Sequence, residues 1–376
     1  MGNVLVTGAD GYIGNAVVQR LLKKHSVVGV DSFIKYKWTK DVNSSSIVST
    51  QSMHDKIVLF NRIGDFKFYR TDIVEDVDEL EEIFKRYKFD TICNLAQQPS
   101  AAYSQKSLHH AKESINNNTN GTLNILWLMH KYCPNAHLIE IESLGTFQPD
   151  IGVNIPEGEF VFQYDGRESM PSLFPRRPGS FYHASKVFTT FLNDAAARWW
   201  DFKITAINQG VVYGAYTPEI EETSIHSPLW IDEAFGTILN RFIAQSLLKQ
   251  PLTIYGDGNQ KRGFLALNDS VQCVELFVDN PPDEPGLRTP NQMDEIYSIN
   301  DIATKVGGGR QWISSPRVEN TGDFYYNPIN DTIKSLGFKQ TRTMEQEIEY
   351  CIGCIDINLL LKMKDLILPK ISWRNN

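Results

Sequence analysis

No apolar run in the 376-residue chain approaches the ~18 residues needed to cross a bilayer. Cysteine is scarce too. The five present form no even framework, which fits a reducing compartment better than a disulfide-stapled secreted fold. Nor is there a surplus of positive charge: lysine and arginine number 37 against 45 aspartates and glutamates, a net charge of −8. That balance argues against a general binder of nucleic acid or acidic membranes, though a small anion can still be held by a few arginines and helix N-termini. No signal or transit peptide precedes the first motif, which begins at residue 3, so a cytoplasmic protein is expected. What is present is material for a core. Apolar residues make up 41% and charged residues 22%, which excludes wholesale disorder. The length suggests about two to three domains, or one large domain with an appended lobe.

The apolar pattern alternates along the first half. Residues 3–6 form a short apolar run that stops at Thr7-Gly8, and residues 13–22 have helical spacing. Residues 26–30 and 66–69 read as strands, 77–87 as a helix, 91–95 as a strand, 103–132 as one long helix and 137–141 as a strand. Strands alternating with helices predict βαβ units. The expected fold is therefore α/β, a Rossmann-type doubly wound parallel sheet with ligands at the carboxyl ends of its strands. We assign residues 1–213 to this cofactor-binding domain, with further strands returning from 214–300. A smaller C-terminal α/β substrate lobe over 214–376 interleaves with it. Two stretches interrupt the rhythm: residues 35–55, polar and serine-rich, read as a surface insertion, and residues 147–178, with five prolines, as a loop carrying a hairpin.

Gly8-Ala9-Asp10-Gly11-Tyr12-Ile13-Gly14 follows a strand and opens a helix. Gly8 permits the tight turn, Gly11 lets backbone approach a pyrophosphate, and Gly14 allows close helix–strand packing. Asp31 ends the second strand, where a carboxylate binds the adenosine ribose hydroxyls and repels a 2′-phosphate; NAD is thus expected over NADP, with Lys35 the one nearby feature arguing the other way. Asp72-Ile73, after the third strand, suits an adenine edge or an ordinary helix entry.

Tyr182-His183-Ala184-Ser185-Lys186 puts Tyr182 and Lys186 four residues apart on one helical face. A free phenol titrates near ~10, so it serves as a base only if a neighbouring ammonium and a cofactor charge lower that value. Ser143, just past the fifth strand, supplies a hydroxyl to the same site. Cys351-Ile352-Gly353-Cys354 has no second cysteine pair, so no metal site is expected, and both cysteines read as core residues. Trp199-Trp200 reads as packing.

The glycine loop, Ser143, Tyr182 and Lys186, in this order, resemble the extended short-chain dehydrogenases/reductases. So do Asn118-Thr119-Asn120-Gly121-Thr122, Leu252-Thr253-Ile254-Tyr255-Gly256 and Arg262-Gly263-Phe264. Narrower motifs are similar to the UDP-sulfoquinovose synthase family from the first strand to Trp373. They include residues 97–104 and 181–186, Asn208-Gln209-Gly210-Val211-Val212-Tyr213-Gly214, Phe235-Gly236-Thr237 with Asn240-Arg241-Phe242, residues 270–275, and Pro316-Arg317-Val318-Glu319 with Tyr325-Tyr326-Asn327. That family commonly has threonine where Ser143 stands and arginine where Pro99 stands.

The resemblance implies an NAD enzyme that converts UDP-glucose and sulfite to UDP-sulfoquinovose. C4 is oxidised, the 6-hydroxyl leaves to give a 4-keto-5-ene, sulfite adds at C6, and C4 is reduced again. Tyr182 is then the 4-hydroxyl base, Lys186 its partner, and Ser143 the group that orients the sugar. Ordinary 4,6-dehydratases place an Asp-Glu pair after this hydroxyl residue, whereas Leu144-Gly145 follow Ser143. His183 is therefore a candidate acid/base at C5 and C6, or simply a histidine packed at a helix start. The resemblance also adds Ser32, Leu95, Ala96, Gln98, Asn118, Gln209 and Val212 to the cofactor site. On the substrate side it implies Gln98, Tyr103, Gln209, Thr237, Asn240, Arg241, Thr253, Tyr255, Gln260 and Glu319, with Arg262 and Arg317 on the diphosphate. A homodimer through the helices around 103–132 and 181–200 is implied as well. A UDP-sugar 4-epimerase or 4,6-dehydratase would share the oxidised intermediate; a non-catalytic sensor of NAD and nucleotide sugar is the alternative of another class.

Overall fold

The structure, a computed structural model, describes residues 2–147, 152–314, 325–368, 370 and 371. Five strands lead into the site. They are β1 (Asn3–Thr7), β2 (Ser26–Val30), β3 (Phe66–Tyr69), β4 (Thr91–Asn94) and β5 (His137–Ser143). With β6 (Lys203–Gln209) and β7 (Gly286–Arg288) they form one sheet in the order β7-β6-β5-β4-β1-β2-β3. Every pairing along it is parallel, and Asn291–Gln292 continues the β6 edge beyond β7. The order reverses at β1, so the chain crosses from one half of the sheet to the other beside the glycine loop. Strands β1, β2 and β4 are almost continuously buried because helices cover both sheet faces.

Two helices carry the chemistry. Helix α1 (Tyr12–Leu21) runs straight out of the glycine loop. Helix α2 (Phe181–Trp200) starts at Ser180, whose hydroxyl accepts the His183 amide, and ends at Asp201 in the left-handed region. Its length matters: 20 residues span about 30 Å, enough to hold Tyr182 over the carboxyl end of β5 while the rest packs along the sheet.

After Gln209 the chain leaves the sheet. Val211–Tyr213, Lys261–Ala266 and Glu295–Ser298 form a small three-stranded sheet, and Leu252–Tyr255 pairs with Arg310–Ile313. Helices Ile238–Leu247, Ile299–Val306 and Met344–Cys354 pack on these strands around a core of their own that includes Leu239, Phe242, Ile254, Ile302 and Met344. The chain re-enters the large sheet as β7 and Asn291–Gln292 before leaving again.

Three expectations need correction. Residues 35–55 are not only a surface loop: Ile34–Asp41 is helical, and Ile47 and Val48 are buried against the second core. The stretch 103–132 is not one helix. It divides into Ala101–Ser104, Leu108–Ile115, a wider turn at Asn116–Asn120 and Gly121–Tyr132. The wider turn forms where Asn117 and Asn118 donate their side-chain amides to the Ala96 and Gln98 carbonyls of another segment. Trp199 is largely exposed, whereas Trp200 stacks on His130 at 4.5 Å. The hairpin expected within 147–178 is present as two short antiparallel pairs, 159–160 with 172–173 and 163–164 with 167–168. Cys351 is buried as expected, and all five cysteines are free.

Candidate active site

A cavity of about 790 Å³ opens where β1, β2, β4, β5 and β6 end, between the large sheet and the second lobe. Its floor is the glycine loop. Gly8 has φ +68, a conformation that other residues rarely adopt, and a Cβ on Gly14 would collide with the Gly8 carbonyl. The loop therefore brings bare backbone and the N-terminus of α1 to the cavity, which is what a pyrophosphate requires.

Asp31 sits at the end of β2, accepting the Asp10 amide at 2.9 Å and the Phe33 amide at 2.7 Å. Burial pushes its carboxyl up to about 6 against those hydrogen bonds. Asp10 itself turns away from the cavity. Its carboxylate takes the buried Lys56 ammonium at 2.6 Å and the Tyr36 hydroxyl at 2.9 Å, which fixes the loop from below. Tyr12, Ile13, Ser32, Asp72, Ile73, Leu95, Ala96 and Val212 line the same cavity. Lys35 lines it too, but its ammonium lies 3.2 Å from the Phe235 ring centroid and 4.6 Å from that of Trp230, on the second lobe. Gln98 and Asn118 lie behind the wall: the Gln98 amide donates to Asn118 Oδ1, and Asn118 Nδ2 donates to the Gln98 carbonyl and the Ser185 hydroxyl.

Ser143, Tyr182, His183 and Lys186 meet on the opposite side. Tyr182 is hydrogen-bonded to Ser143, and Lys186 Nζ donates to the Ile141 carbonyl on β5. Burial pushes the Tyr182 phenol above its usual range and Glu142 pushes it further, while the Ser143 hydrogen bond works the other way. The expected lowering therefore has to come from Lys186 together with the charge of a bound nicotinamide. His183 Nδ1 lies 2.9 Å from the capping Ser180 hydroxyl, and Nε2 packs against Gly145, where a Cβ would strike it.

The second lobe closes the cavity with Thr237, Asn240, Arg241, Tyr255, Gln260 and Arg262. Thr237 caps the helix Ile238–Leu247, and the Arg241 guanidinium lies 4.2 Å from the Tyr255 ring centroid. Three expected substrate residues have their polar groups on internal partners. Gln209 lines the wall, but its amide donates to Ser270 and Gln292. Thr253 accepts from Gln245 Nε2. Tyr103 is buried with its hydroxyl on Glu113. Arg317 and Glu319 lie outside the described residues. Sequence reasoning missed Trp230, Phe235, Tyr326 and Glu142 in the lining. The signal for Glu142 was there: two carboxylates, Glu140 and Glu142, interrupt the apolar run of the fifth strand, and both are buried. Among the described residues no cluster of ligating side chains could hold a metal ion.

A glycine-lined helix start, an acidic residue closing β2 and a Tyr–Lys pair facing them make a site whose residues fit NAD. The chain belongs to the NAD-dependent epimerase/dehydratase family, whose profile matches residues 4–289. It is 32% identical to the UDP-sulfoquinovose synthase of Sulfolobus acidocaldarius, over 99% of this chain and 97% of that protein. It is also 32% identical to the chloroplastic UDP-sulfoquinovose synthase of Spinacia oleracea, over 99% of this chain and 79% of that one. Among solved structures, a UDP-glucuronic acid 4-epimerase from Bacillus cereus, in complex with UDP-glucuronic acid and NAD, superposes with a TM-score of 0.65. It is 21% identical and covers 93% of this chain and 98% of its own.

Proposed function

We propose that this protein is an NAD-dependent UDP-sulfoquinovose synthase, joining sulfite to UDP-glucose. The observation that carries the reading is end-to-end similarity to two synthases at 32% identity. Bound NAD supplies an acceptor for the C4 hydride and later its return. Tyr182, as phenolate, takes the 4-hydroxyl proton, with Ser143 holding the same oxygen and Lys186 supplying the positive charge. A ketone at C4 acidifies the C5 proton, so the 6-hydroxyl can leave and sulfite can add at C6. We assign the proton movements at C5 and C6 to His183, whose ring lines the cavity beside Tyr182. Arg241 and Arg262 reach the cavity from the second lobe and suit the diphosphate. Residues 1–213 with the returning strands would hold NAD, and the remainder the nucleotide sugar.

The protein would act as a homodimer. Leu108, Trp127, Phe181, Phe188, Phe191 and Trp199, on the helices Leu108–Ile115, Gly121–Tyr132 and α2, are all exposed, and a second copy would cover them. Five free cysteines suit a reducing cytoplasm. The direct test is mass spectrometry of the nucleotide sugars after incubation with UDP-glucose, catalytic NAD and sulfite. A sulfonated UDP-hexose that forms only with sulfite is expected; a keto or epimerised sugar without sulfite incorporation would refute the synthase reading and leave a UDP-sugar epimerase or dehydratase.

A further inference from the structure

Beneath the Tyr182–Lys186 pair lies a buried charge cluster that the reaction above does not use. Glu142, next to Ser143 on β5, is almost wholly buried, and its Oε1 accepts the Thr189 hydroxyl at 2.7 Å. Its other oxygen, Oε2, has no hydrogen-bond partner among the described residues. The charged and titratable groups facing it are Lys186 and Tyr182 from α2, Arg176 from the segment before α2, and Glu140 on its own strand. On the neighbouring strand its register partner is the neutral Asn208. Arg176 makes its hydrogen bonds elsewhere, Nη1 donating to Thr146 and Asn208 while the guanidinium stacks 3.9 Å from the Phe147 ring centroid, and it favours ionised Glu142 through charge alone.

Lys186 faces the opposite difficulty. It is buried, its Nζ donates to the Ile141 carbonyl, and burial lowers its proton affinity. A neutral amine would give Tyr182 no help. The charges that favour the ammonium are Glu142 first and Glu140 second.

We propose that Glu142 is the counter-ion of Lys186, a positioning residue that keeps the lysine charged beside Tyr182 inside a dry site. It acts through charge rather than through contact with the substrate. Ionised Glu142 also repels the Tyr182 phenolate, so the proposal requires its hold on Lys186 to outweigh that repulsion, which the test below decides. Burial pushes the Glu142 carboxyl up to about 7, against the pull of Lys186, Thr189 and, last, Arg176. The support is therefore present above neutrality and is lost as pH falls through that value.

The inference rests on the synthase reading for its reaction, but its test needs only the C4 oxidation shared by the whole family. NADH formation is followed after mixing UDP-glucose with NAD-loaded wild type or Glu142→Gln, without sulfite, from pH 5.5 to 8.5. At pH 8 the variant is expected to be at least ten-fold slower, with half-saturation by UDP-glucose unchanged within about three-fold. Below pH 6 the two rates should converge, because protonated glutamate and glutamine are then electrically alike. A ratio constant across the range marks a merely structural role and overturns the proposal, as does a variant faster than wild type at pH 8. Infrared titration serves if the variant fails to fold or UDP-glucose is not oxidised. In the wild-type-minus-variant difference, with Glu142→Asp replacing Glu142→Gln if the latter fails to fold, loss of a buried protonated-carboxyl band with a midpoint near 7 is expected, and no such difference between pH 5.5 and 8.5 would refute it. Absence of sulfonated product with normal NADH formation would sink the synthase reading alone.

Discussion

At the scale of single residues, the site was legible wherever chemistry demands a residue type at a fixed spacing. Gly8, Gly11 and Gly14 at the end of a strand, Asp31 closing the next, and Tyr182 four residues before Lys186 all carry a geometric requirement in the sequence itself, and the fold brings them to one cavity. Directions of side chains were not legible. Gln209, Thr253 and Tyr103 lie in the expected neighbourhood, yet each has its polar group on an internal partner. Lys35 illustrates the same limit, since only the assembled second lobe puts Phe235 under its ammonium. His183 is tied at one nitrogen to Ser180 and packed at the other against Gly145. If it carries the C5 and C6 protons, His183→Ala should still form NADH from UDP-glucose while elimination falls about 10²–10⁴-fold, the usual range for a lost general acid–base. Rapid-quench analysis of the sugar products checks this; elimination at the wild-type rate would remove His183 from the chemistry.

At the scale of elements, the apolar pattern located the strands and most helices of the large sheet, because a buried parallel strand leaves a short apolar run in the sequence and an amphipathic helix a repeat. It failed where polar side chains, rather than apolar spacing, set the backbone. At the widened turn Asn116–Asn120, asparagine amides reach carbonyls about 20 residues away in sequence. Another such contact joins the start of Leu267–Asp279 to the entry of Glu295–Ser298. Asp269 accepts the Thr341 amide at 2.9 Å, and Asp294 accepts the Ala266 amide at 3.1 Å. Burial, with Asp269 alongside, pushes the Asp294 carboxyl up to about 9. It is thus protonated in the fold and ionised in the unfolded chain, so stability falls as pH rises from about 4 towards 9. Asp294→Asn keeps the acceptor for Ala266 and cannot ionise. We expect it to be more stable than wild type at pH 8 by about 1 kcal/mol or more, with the difference fading near pH 4. Chemical denaturation at the two pH values measures this.

At the scale of the whole molecule, the exposed aromatic side of α2 and its neighbouring helices predicts the state of assembly. Phe188 and Phe191 are 59% and 52% exposed on the helix that also carries Tyr182 and Lys186. The wild type should sediment as a dimer, and a Phe188→Glu/Phe191→Glu double variant as a monomer, since a pair of opposed glutamates would have to be buried in the interface. A wild-type monomer at micromolar concentration would refute this reading. The second lobe was the least legible part at this scale: its strands are short, and their partners are far apart in sequence, as when Leu252–Tyr255 pairs with Arg310–Ile313.

The path of the chain between the two cores has a consequence for inheritance. The chain leaves the large sheet after Gln209, returns to lay β7 and Asn291–Gln292 along β6, and departs once more. A protein threaded this way cannot exchange its sugar-recognising half by a single recombination without also exchanging the last strand of the large sheet, which must then fit β6. Otherwise new substrates must be reached by changing side chains around the cavity, or by grafting at several joints at once.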